Sequence, residues 1–340
     1  MGKRIVFMSI GGTVLLIIGM GIGYALNAVT PPNSSPLSNT LAKSTTSFSP
    51  ELHNKTGKFT SPLLECNSNI GGMDFGVFGK KLQQQIDDDK AAGKVTFVAV
   101  YLRHLFDGGS LDINGNEKFT PASLLKVPDM ITLFKMADGD PSVLTKKVTY
   151  DKIYDSSKPF FNSNTTLELG QTYTVDDLIG RMIKYSDNEA MFLLRAQFDK
   201  TLFDQLYTDL QISPPNDAVS DDFMMVKTYA SFFRILYNAS YLSPAMSEKA
   251  LSLLSQITFD KGIVAGVPNN IPVAHKFGER IYTDNQEHQL HDCGIVYHPT
   301  DPYLLCVMTR GTDFNVLTSV IKDLSKQVWD EMSVRVMENK

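Results

Sequence analysis

The sequence contains few cysteines and no excess of basic residues. Its 340 residues include three cysteines, which cannot all pair with one another, so their number leaves the redox compartment open. Cys293 and Cys306 lie in neighbouring predicted strands, where a bridge can form, but we expect buried free thiols. The formal net charge is −5, and this acidic balance disfavours a general role in nucleic-acid binding.

Histidine and metal chemistry are also poorly supported. His288, His291 and Asp292 are too irregularly spaced for a typical metal site, and we expect them on the surface of a hairpin. His275 precedes Lys276 on a predicted strand, so the two side chains should point to opposite faces of the sheet. No histidine has a convincing role as the base of a catalytic triad.

The N-terminal segment has the pattern of a membrane anchor. Lys3 and Arg4 precede residues 5–30, which carry no charged side chain, and about 20 apolar residues span a bilayer as a helix. Basic residues before such a run favour a cytoplasmic N-terminus and an extracytoplasmic remainder, at the cell surface or in the periplasm. A cleaved signal peptide is the alternative, although residues 25–27 are a poor cleavage site. We therefore predict a single-pass transmembrane anchor over residues 1–30.

The segment after the anchor is rich in proline, serine, threonine and asparagine. Residues 31–65 show no apolar period, which is typical of a flexible linker. This linker would connect the anchor to a folded domain over residues 66–340. With 43% hydrophobic residues, the chain can build roughly one large or two modest domains.

The patterns after residue 66 predict both helices and strands. Helical spacing over 77–90 is followed by a run rich in β-branched and aromatic residues, which predicts a strand. Strands are predicted over 95–102, 110–113, 273–277, 291–297 and 303–309. Further helices are predicted over 121–137, 175–185, 189–198, 201–210, 222–237, 244–254 and 315–337. This order predicts an α/β fold, in which a five-stranded antiparallel sheet flanked by helices carries an all-α subdomain at about residues 118–258.

A serine and a lysine three residues apart lie near the start of the first inserted helix. Pro121 fits the first helical turn, so Ser123 lies where the helix dipole favours developing negative charge. Lys126 follows one turn later on the same face. A buried lysine near a second cation loses proton affinity and can deprotonate the serine. The pattern alone is weak, because Ser319 and Lys322 repeat it on a predicted surface helix.

Ser186, Asp187 and Asn188 form a second motif, in a predicted loop between two helices. All three residue types cap helices well, so helix capping by itself explains the pattern. In a catalytic site, Ser186 can pass a proton between the nucleophile, the lysine and the leaving nitrogen. Asn188 can bind the amide carbonyl of a substrate, and Asp187 would hold the loop.

Lys276, Phe277 and Gly278 form a third motif, at the end of the first strand after the helices. A lysine there either protects an edge strand from aggregation or faces a cleft and attracts a carboxylate. Gly278 lets a substrate approach the backbone, and the N–H groups of Ser123 and Glu279 can form an oxyanion hole. A cleft between sheet and helical subdomain would gather the motifs around an amide carbonyl next to a carboxylate.

With these three motifs in this order, the sequence resembles the penicillin-recognising serine hydrolases, especially the class A β-lactamases. The resemblance covers roughly residues 66–340. It includes Tyr185 before the second motif, residues 273–276, and residues 303–309 as the last strand. It implies a β-lactamase/transpeptidase-like fold without a metal ion or organic cofactor, and we expect a monomer.

The resemblance also implies a role for each residue of the motifs. It identifies the acylated nucleophile, its base, a proton relay, a substrate ligand and a carboxylate anchor. These are, in that order, Ser123, Lys126, Ser186, Asn188 and Lys276.

Two features depart from the pattern of the family. Phe277 replaces a threonine or serine whose hydroxyl binds the substrate carboxylate, and losing such a charge-assisted hydrogen bond costs roughly 1.5–3 kcal/mol. Class A β-lactamases also place a glutamate, which activates the deacylating water, between the second and third motifs, but residues 190–247 contain no glutamate. Asp217, Asp221 and Asp222 lie at the corresponding loop, and we expect them to be solvated or to cap the next helix.

Three functions are compatible with these observations. We predict a serine hydrolase that forms an acyl-enzyme at Ser123 on β-lactams or related amides. The missing glutamate favours the alternative of a peptidoglycan D-Ala-D-Ala carboxypeptidase or transpeptidase, which acts on peptidoglycan stem peptides. A further alternative is a β-lactam sensor or wall-binding module without turnover.

Overall fold

The computed structural model describes residues 51–54, 57–66, 72–154, 159–161, 166–213, 215 and 221–338. The predicted anchor over residues 1–30 and much of the predicted linker lie outside these residues, as does Asp217. Within the described part of the chain, no helix is both long and apolar enough to cross a membrane.

The described chain contains the five predicted strands and, besides them, short strands that the sequence patterns did not predict. The strands are β1 (Glu51–His53), β2 (Leu63–Cys66), β3 (Phe97–His104), β4 (Ser110–Ile113), β5 (Lys118–Phe119), β6 (Lys147–Thr149), β7 (Thr172–Thr174), β8 (Met224–Met225), β9 (Val273–Ile281), β10 (His288–Val296) and β11 (Tyr303–Gly311). The helices are α1 (Gly76–Ala91), α2 (Lys126–Gly139), α3 (Ser142–Thr145), α4 (Val175–Lys184), α5 (Asn188–Arg195), α6 (Lys200–Asp209), α7 (Val226–Tyr237), α8 (Pro244–Leu254) and α9 (Phe314–Glu338). Two 3₁₀ helices comprise Ala122–Leu125 and Val264–Gly266.

Five of the strands form one antiparallel sheet in the order β4-β3-β11-β10-β9. The predicted five-stranded antiparallel sheet is therefore confirmed. β10 and β11 are buried along nearly their whole length, because helices cover both faces of the sheet. β9 lies at the edge, next to the inserted helices.

Two apolar layers enclose the sheet. On one face, Leu82 of α1 and Leu324 of α9 belong to a buried cluster with the strands. On the other face, the inserted helices contribute Phe134, Leu178 and Phe233 to a second cluster. Burying each such side chain stabilises the fold by about 1.5–3 kcal/mol. The 3₁₀ helix Ala122–Leu125 contacts β9, and the motifs gather at this junction between the inserted helices and the sheet.

Two predicted helices begin differently from the expectation. The helix predicted over 121–137 starts as the 3₁₀ helix and becomes α-helical at Lys126. The helix predicted over 222–237 starts at Val226, because Met224 and Met225 pair with β5. This pairing is a long-range contact, which local periodicity does not report.

The described part of the predicted linker contains ordered structure. β1 and β2 form an antiparallel pair inside residues 31–65 and their immediate flank. The carboxylate of Glu248 on α8 accepts hydrogen bonds from the backbone N–H groups of Lys58, Phe59 and Thr60, at 2.9 to 3.1 Å. Composition did not predict this order, because the partner of the segment lies far along the chain.

Cys293 and Cys306 form a disulfide, so the expectation of free thiols is wrong. The two residues lie directly opposite each other on β10 and β11, and their Cα atoms are 4.0 Å apart. Both side chains are fully buried. Antiparallel pairing brought the two sulfur atoms together, and the cysteine spacing alone did not reveal the register.

His291 and Asp292 are buried, so their predicted position on a hairpin surface is wrong. His291 Nε2 lies 3.0 Å from the carbonyl oxygen of Thr120. Asp292 Oδ1 lies 2.8 Å from His275 Nδ1, and its Oδ2 accepts a hydrogen bond from the N–H of Ile263 at 2.9 Å. These groups support the backbone from within the core. In the part of the chain that the structure describes, no group of three or more His, Cys, Asp or Glu side chains could hold a metal ion.

Candidate active site

Ser123 lies on a tightly constrained turn. The residue before it, Ala122, has φ +49°, a left-handed conformation that is strained for a residue with a side chain. The hydroxyl of Tyr229 donates a hydrogen bond to the carbonyl oxygen of Leu124 at 2.9 Å, and His291 binds the carbonyl of Thr120. These contacts from α7 and β10 hold the turn, so the surrounding fold sustains the strain.

Lys126 begins α2 and is almost fully buried. Its Nζ lies 2.8 Å from Ser123 Oγ, as expected for a serine and a lysine one turn apart on one helix face. The same Nζ lies 2.6 Å from Asn188 Oδ1. The first two motifs therefore meet at this amine.

The second motif joins α4 to α5. Ser186 has φ +54°, and its Oγ lies 3.3 Å from Lys126 Nζ. Asp187 caps α5 by accepting a hydrogen bond from the N–H of Ala190 at 3.2 Å. Its other carboxylate oxygen accepts from the N–H and hydroxyl of Thr166, at 2.8 and 3.0 Å. Helix capping and a role in a catalytic site are therefore compatible interpretations of this motif. Asp187 caps α5 and holds the loop, whereas the hydroxyl of Ser186 points to the lysines.

Lys276 reaches the same cluster from β9. Its ammonium donates to Ser186 Oγ and to the carbonyl oxygen of Phe277, each at 2.9 Å. The side chain is fully buried. Burial lowers the pKa of Lys276 well below its usual value, and the nearby charge of Lys126 lowers it further. Ser186 Oγ therefore lies within hydrogen-bond distance of both lysine amines.

Gly278 permits the close approach of β9 to the turn that carries Ser123. A Cβ at this position would lie 2.6 Å from the carbonyl oxygen of Pro121 and 3.1 Å from Leu124 Cγ. The close packing of the strand against the turn is therefore sufficient to require glycine at this position, without any substrate. Because β9 is an edge strand, alternate backbone groups face away from β10.

Glu279 uses its side chain in a way that the sequence did not predict. Its carboxylate accepts hydrogen bonds from the N–H groups of Phe160, at 2.6 Å, and Phe161, at 3.2 Å. Burial raises the pKa of Glu279, although these amides and the lysines of the site oppose the shift. A segment that follows β6 is thereby held against β9, beside the lysines and serines of the three motifs.

These elements surround a cleft of about 520 Å³. Ser123, Lys126, Asn188 and Glu279 line the cleft, whereas Ser186 and Lys276 are buried behind it. Glu279 is the one acidic side chain among the described lining residues. The lining also includes Leu125, Pro159, Phe160, Met191, Phe192, Arg195, Arg280, Ile281 and Phe314.

Phe277 occupies an aromatic cluster instead of the cleft surface. Its ring is 1% exposed and stacks on Phe259, with ring centroids 4.1 Å apart. Phe161 packs on both rings, edge to face. The position at which the family resemblance implies a carboxylate-binding hydroxyl is therefore filled by apolar packing.

The aspartates considered as replacements for the missing glutamate are engaged elsewhere. Asp222 accepts hydrogen bonds from Thr120 Oγ1 at 2.6 Å and from Arg310 at 3.0 Å. Asp221 forms an ion pair with Arg280 at 3.5 Å. Neither aspartate lines the cleft. Asp222 does not cap α7, which has no side-chain cap, so the predicted capping role is wrong.

The sequence patterns did not predict a buried ion pair that joins α2 and α5 beside the cleft. Arg195 Nε donates to Asp129 Oδ2 at 3.0 Å, and Asp129 is 1% exposed. Burial raises the pKa of Asp129 to about 6, although Arg195 opposes the shift. The spacing does contain a signal for this pair. Asp129 lies one helical turn after Lys126 and Arg195 lies two turns after Asn188, so each shares a helix face with a residue of the motifs.

Several solved structures share this fold. PBP-A superposes with a TM-score of 0.65 and 18% identity, over 78% of this chain and 98% of that chain. A β-lactamase from Chitinophaga pinensis has a TM-score of 0.63 and 19% identity, over 74% and 99%. The TLA-1 extended-spectrum β-lactamase has a TM-score of 0.65 and 16% identity, over 75% and 99%.

Sequence comparison identifies a family. No curated protein matches this chain. The model of the β-lactamase enzyme family matches residues 80–332, which include all three motifs. The chain therefore belongs to the β-lactamase enzyme family.

Proposed function

We propose that this protein is a serine hydrolase that forms an acyl-enzyme at Ser123 on β-lactams or related amides. The observation that carries the proposal is the position of Lys126 Nζ, which lies within hydrogen-bond distance of Ser123 Oγ, Ser186 Oγ and Asn188 Oδ1. One of the fold neighbours, a mutant of PBP-A, has been solved as an acyl-enzyme complex with penicillin G.

The proposed acylation uses each residue of the cluster. A neutral Lys126 amine accepts the proton of Ser123 Oγ as this oxygen forms a bond to the amide carbonyl carbon. The N–H groups of Ser123 and Glu279 stabilise the negative oxygen of the tetrahedral intermediate. Ser186, in contact with both lysines, returns a proton to the leaving nitrogen as the carbon–nitrogen bond breaks. An ester at Ser123 and a free amine result.

Binding and charge stabilisation fall to the remaining site residues. Asn188 would orient the amide carbonyl of the acyl side chain. Lys276 would act mainly through Ser186, because its ammonium is buried and already donates to the hydroxyl of that residue. Gly278 would keep the strand close to the nucleophile.

Hydrolysis of the ester is proposed to be slow. Residues 190–247 contain no glutamate, and Asp221 and Asp222 are bound outside the cleft. Glu279, which does line the cleft, is held by two backbone N–H groups. These observations favour a second candidate, a peptidoglycan D-Ala-D-Ala carboxypeptidase or transpeptidase, in which an amine or a water bound in another way releases the acyl group.

The proposed setting is extracytoplasmic. If residues 1–30 anchor the chain as their pattern predicts, the catalytic domain is tethered at the outer face of a membrane, where peptidoglycan stem peptides are accessible. The domain is proposed to work as a monomer without a cofactor.

The test is intact mass spectrometry of the full chain during incubation with penicillin G, with colour release from a chromogenic cephalosporin measured in parallel. A penicilloyl adduct that is absent from Ser123→Ala supports the proposal. Steady colour release identifies a β-lactamase, whereas a persistent adduct identifies a transpeptidase-like enzyme or a sensor. Absence of both an adduct and colour release at millimolar ligand would refute acylation and would favour a binding module.

A further inference from the structure

One side of the cleft, called the arm here, is lined by Lys126 at the start of α2 and by Asn188, Met191, Phe192 and Arg195 along α5. Lys126 and Asp129 lie one turn apart on α2, and Asn188 and Arg195 lie two turns apart on α5, so each pair shares a helix face. Along α5 the arm runs from Asn188, which contacts Lys126, to Arg195, which pairs with the buried Asp129. The helical rise between Asn188 and Arg195 is about 10 Å.

The walls of this arm are apolar. Leu125, Met191 and Phe192 line it. The ring of Phe192 stacks on Tyr154, with centroids 6.1 Å apart and 12° between the ring planes. The N–H of Tyr154 donates to the carboxylate of Glu189 at 2.9 Å, which holds the aromatic wall in place. Such a surface suits an extended acyl chain and does not suit a bare ion.

The guanidinium of Arg195 gives the far end of the arm a positive, oriented donor. Its side chain is 37% exposed, whereas the paired Asp129 is 1% exposed. The Nε–Oδ2 bond between them fixes the direction of the guanidinium plane. Within the described residues, neither Nη group has a hydrogen-bond partner, and two parallel N–H donors match the geometry of a carboxylate.

We propose that this arm binds the acyl part of the substrate, and that Arg195 recognises a carboxylate at the far end of that part. The ligand class is an apolar or peptidyl acyl group with an anionic end. The inference rests on the proposed acylation of Ser123. It adds a determinant of substrate choice that lies outside the three motifs.

The test compares two penicillins with the same nucleus. In one, the acylamino side chain ends in a carboxylate; in the other, it ends in the matching primary carboxamide, and both are made with two, four and six methylenes as spacer. Acylation of Ser123 in the full chain is followed by intact mass. We expect the carboxylate form to acylate about tenfold faster at the best spacer, as for one charge-assisted hydrogen-bonded contact.

A matched pair of variants assigns the effect to the arm. Met191→Glu places a negative charge beside the path to Arg195 without breaking the Asp129 pair, and it should abolish the preference for the carboxylate. Met191→Gln has nearly the same shape and should retain the preference. This design avoids Arg195→Gln, which would leave a buried aspartate without its partner and can unfold the chain.

The outcomes separate the inference from the proposed function. Equal acylation by both penicillins at every spacer overturns the arm's role and leaves acylation at Ser123 intact. A preference that survives Met191→Glu also overturns it. Acylation by neither penicillin overturns the proposed function, and the inference falls with it.

Discussion

The ammonium of Lys276 donates a hydrogen bond to Ser186 Oγ at 2.9 Å, although 90 residues separate them. This contact joins the edge strand of the sheet to the loop between α4 and α5. Ser186 also lies 3.3 Å from Lys126 Nζ, so it bridges two lysines that the fold has removed from water. A hydroxyl between two buried amines is suited to move protons, and it makes the charge of the site depend on pH.

Lys276 should make the stability of the chain depend on pH. Its folded-state pKa is depressed, mainly by burial, so the folded state binds fewer protons than the unfolded state below the usual lysine pKa. Stability should therefore rise with pH, by at most about 1.4 kcal/mol per pH unit from this group. Urea unfolding between pH 7 and 9.5 should show a flatter rise for Lys276→Met than for the native chain. Lys322→Met, on the exposed face of α9, is the control and should keep the native slope.

His291 should produce a second pH effect, at acidic pH. Burial lowers the pKa of His291 to about 4, below the unfolded value near 6.5. The folded state therefore binds fewer protons between these values, and stability falls as pH drops through this window, by about 3 kcal/mol in total. His291→Gln should reduce this loss in urea unfolding at pH 7 and pH 4. If His288→Gln, at the start of β10, reduces it equally, the assignment is wrong.

Phe277 should limit reaction with ordinary penicillins. Phe277→Thr introduces the hydroxyl that binds the substrate carboxylate in the family, and one charge-assisted hydrogen bond of about 1.5–3 kcal/mol corresponds to at least tenfold. We expect the second-order rate constant for acylation by penicillin G to rise by this factor. The change removes a buried ring, so the melting temperature should fall. Phe277→Leu should lower the melting temperature without raising the rate, and a gain in both variants would contradict the hydroxyl argument.

The disulfide should be a structural element of the sheet. Cys293 and Cys306 enclose a short loop, with a sequence separation of 13, and closing such a loop stabilises a fold by about 3 kcal/mol in the chain-entropy model. The double variant Cys293→Ala, Cys306→Ala should lose a comparable free energy of unfolding. Thiol titration of the denatured native chain without reductant should detect two thiols fewer than after reduction. Equal thiol counts in the two samples would contradict the bridge.

The five strands of the sheet, the longer helices and the three motifs could be read from the sequence. The helix over Pro244–Leu254 and the strand over Ser110–Ile113 have the predicted bounds, because local periodicity and turn residues determine such elements. Ser123 and Lys126 meet as predicted, since helical geometry alone places residues three apart on one face. The exposed positions of Ser319 and Lys322 also agree with the expectation.

The contacts that shape the cleft came from long-range packing. The carboxylate of Glu279 holds Phe160 from a distant segment, Phe277 turns into an aromatic cluster, and Arg195 pairs with Asp129 across two helices. No local period reports which side chains meet across a sheet edge or between helices. The sequence and its local geometry thus determined which side chains carry the reactive groups. Only the packing of distant segments decided how far these groups are buried, which charge they carry and what form the cleft has.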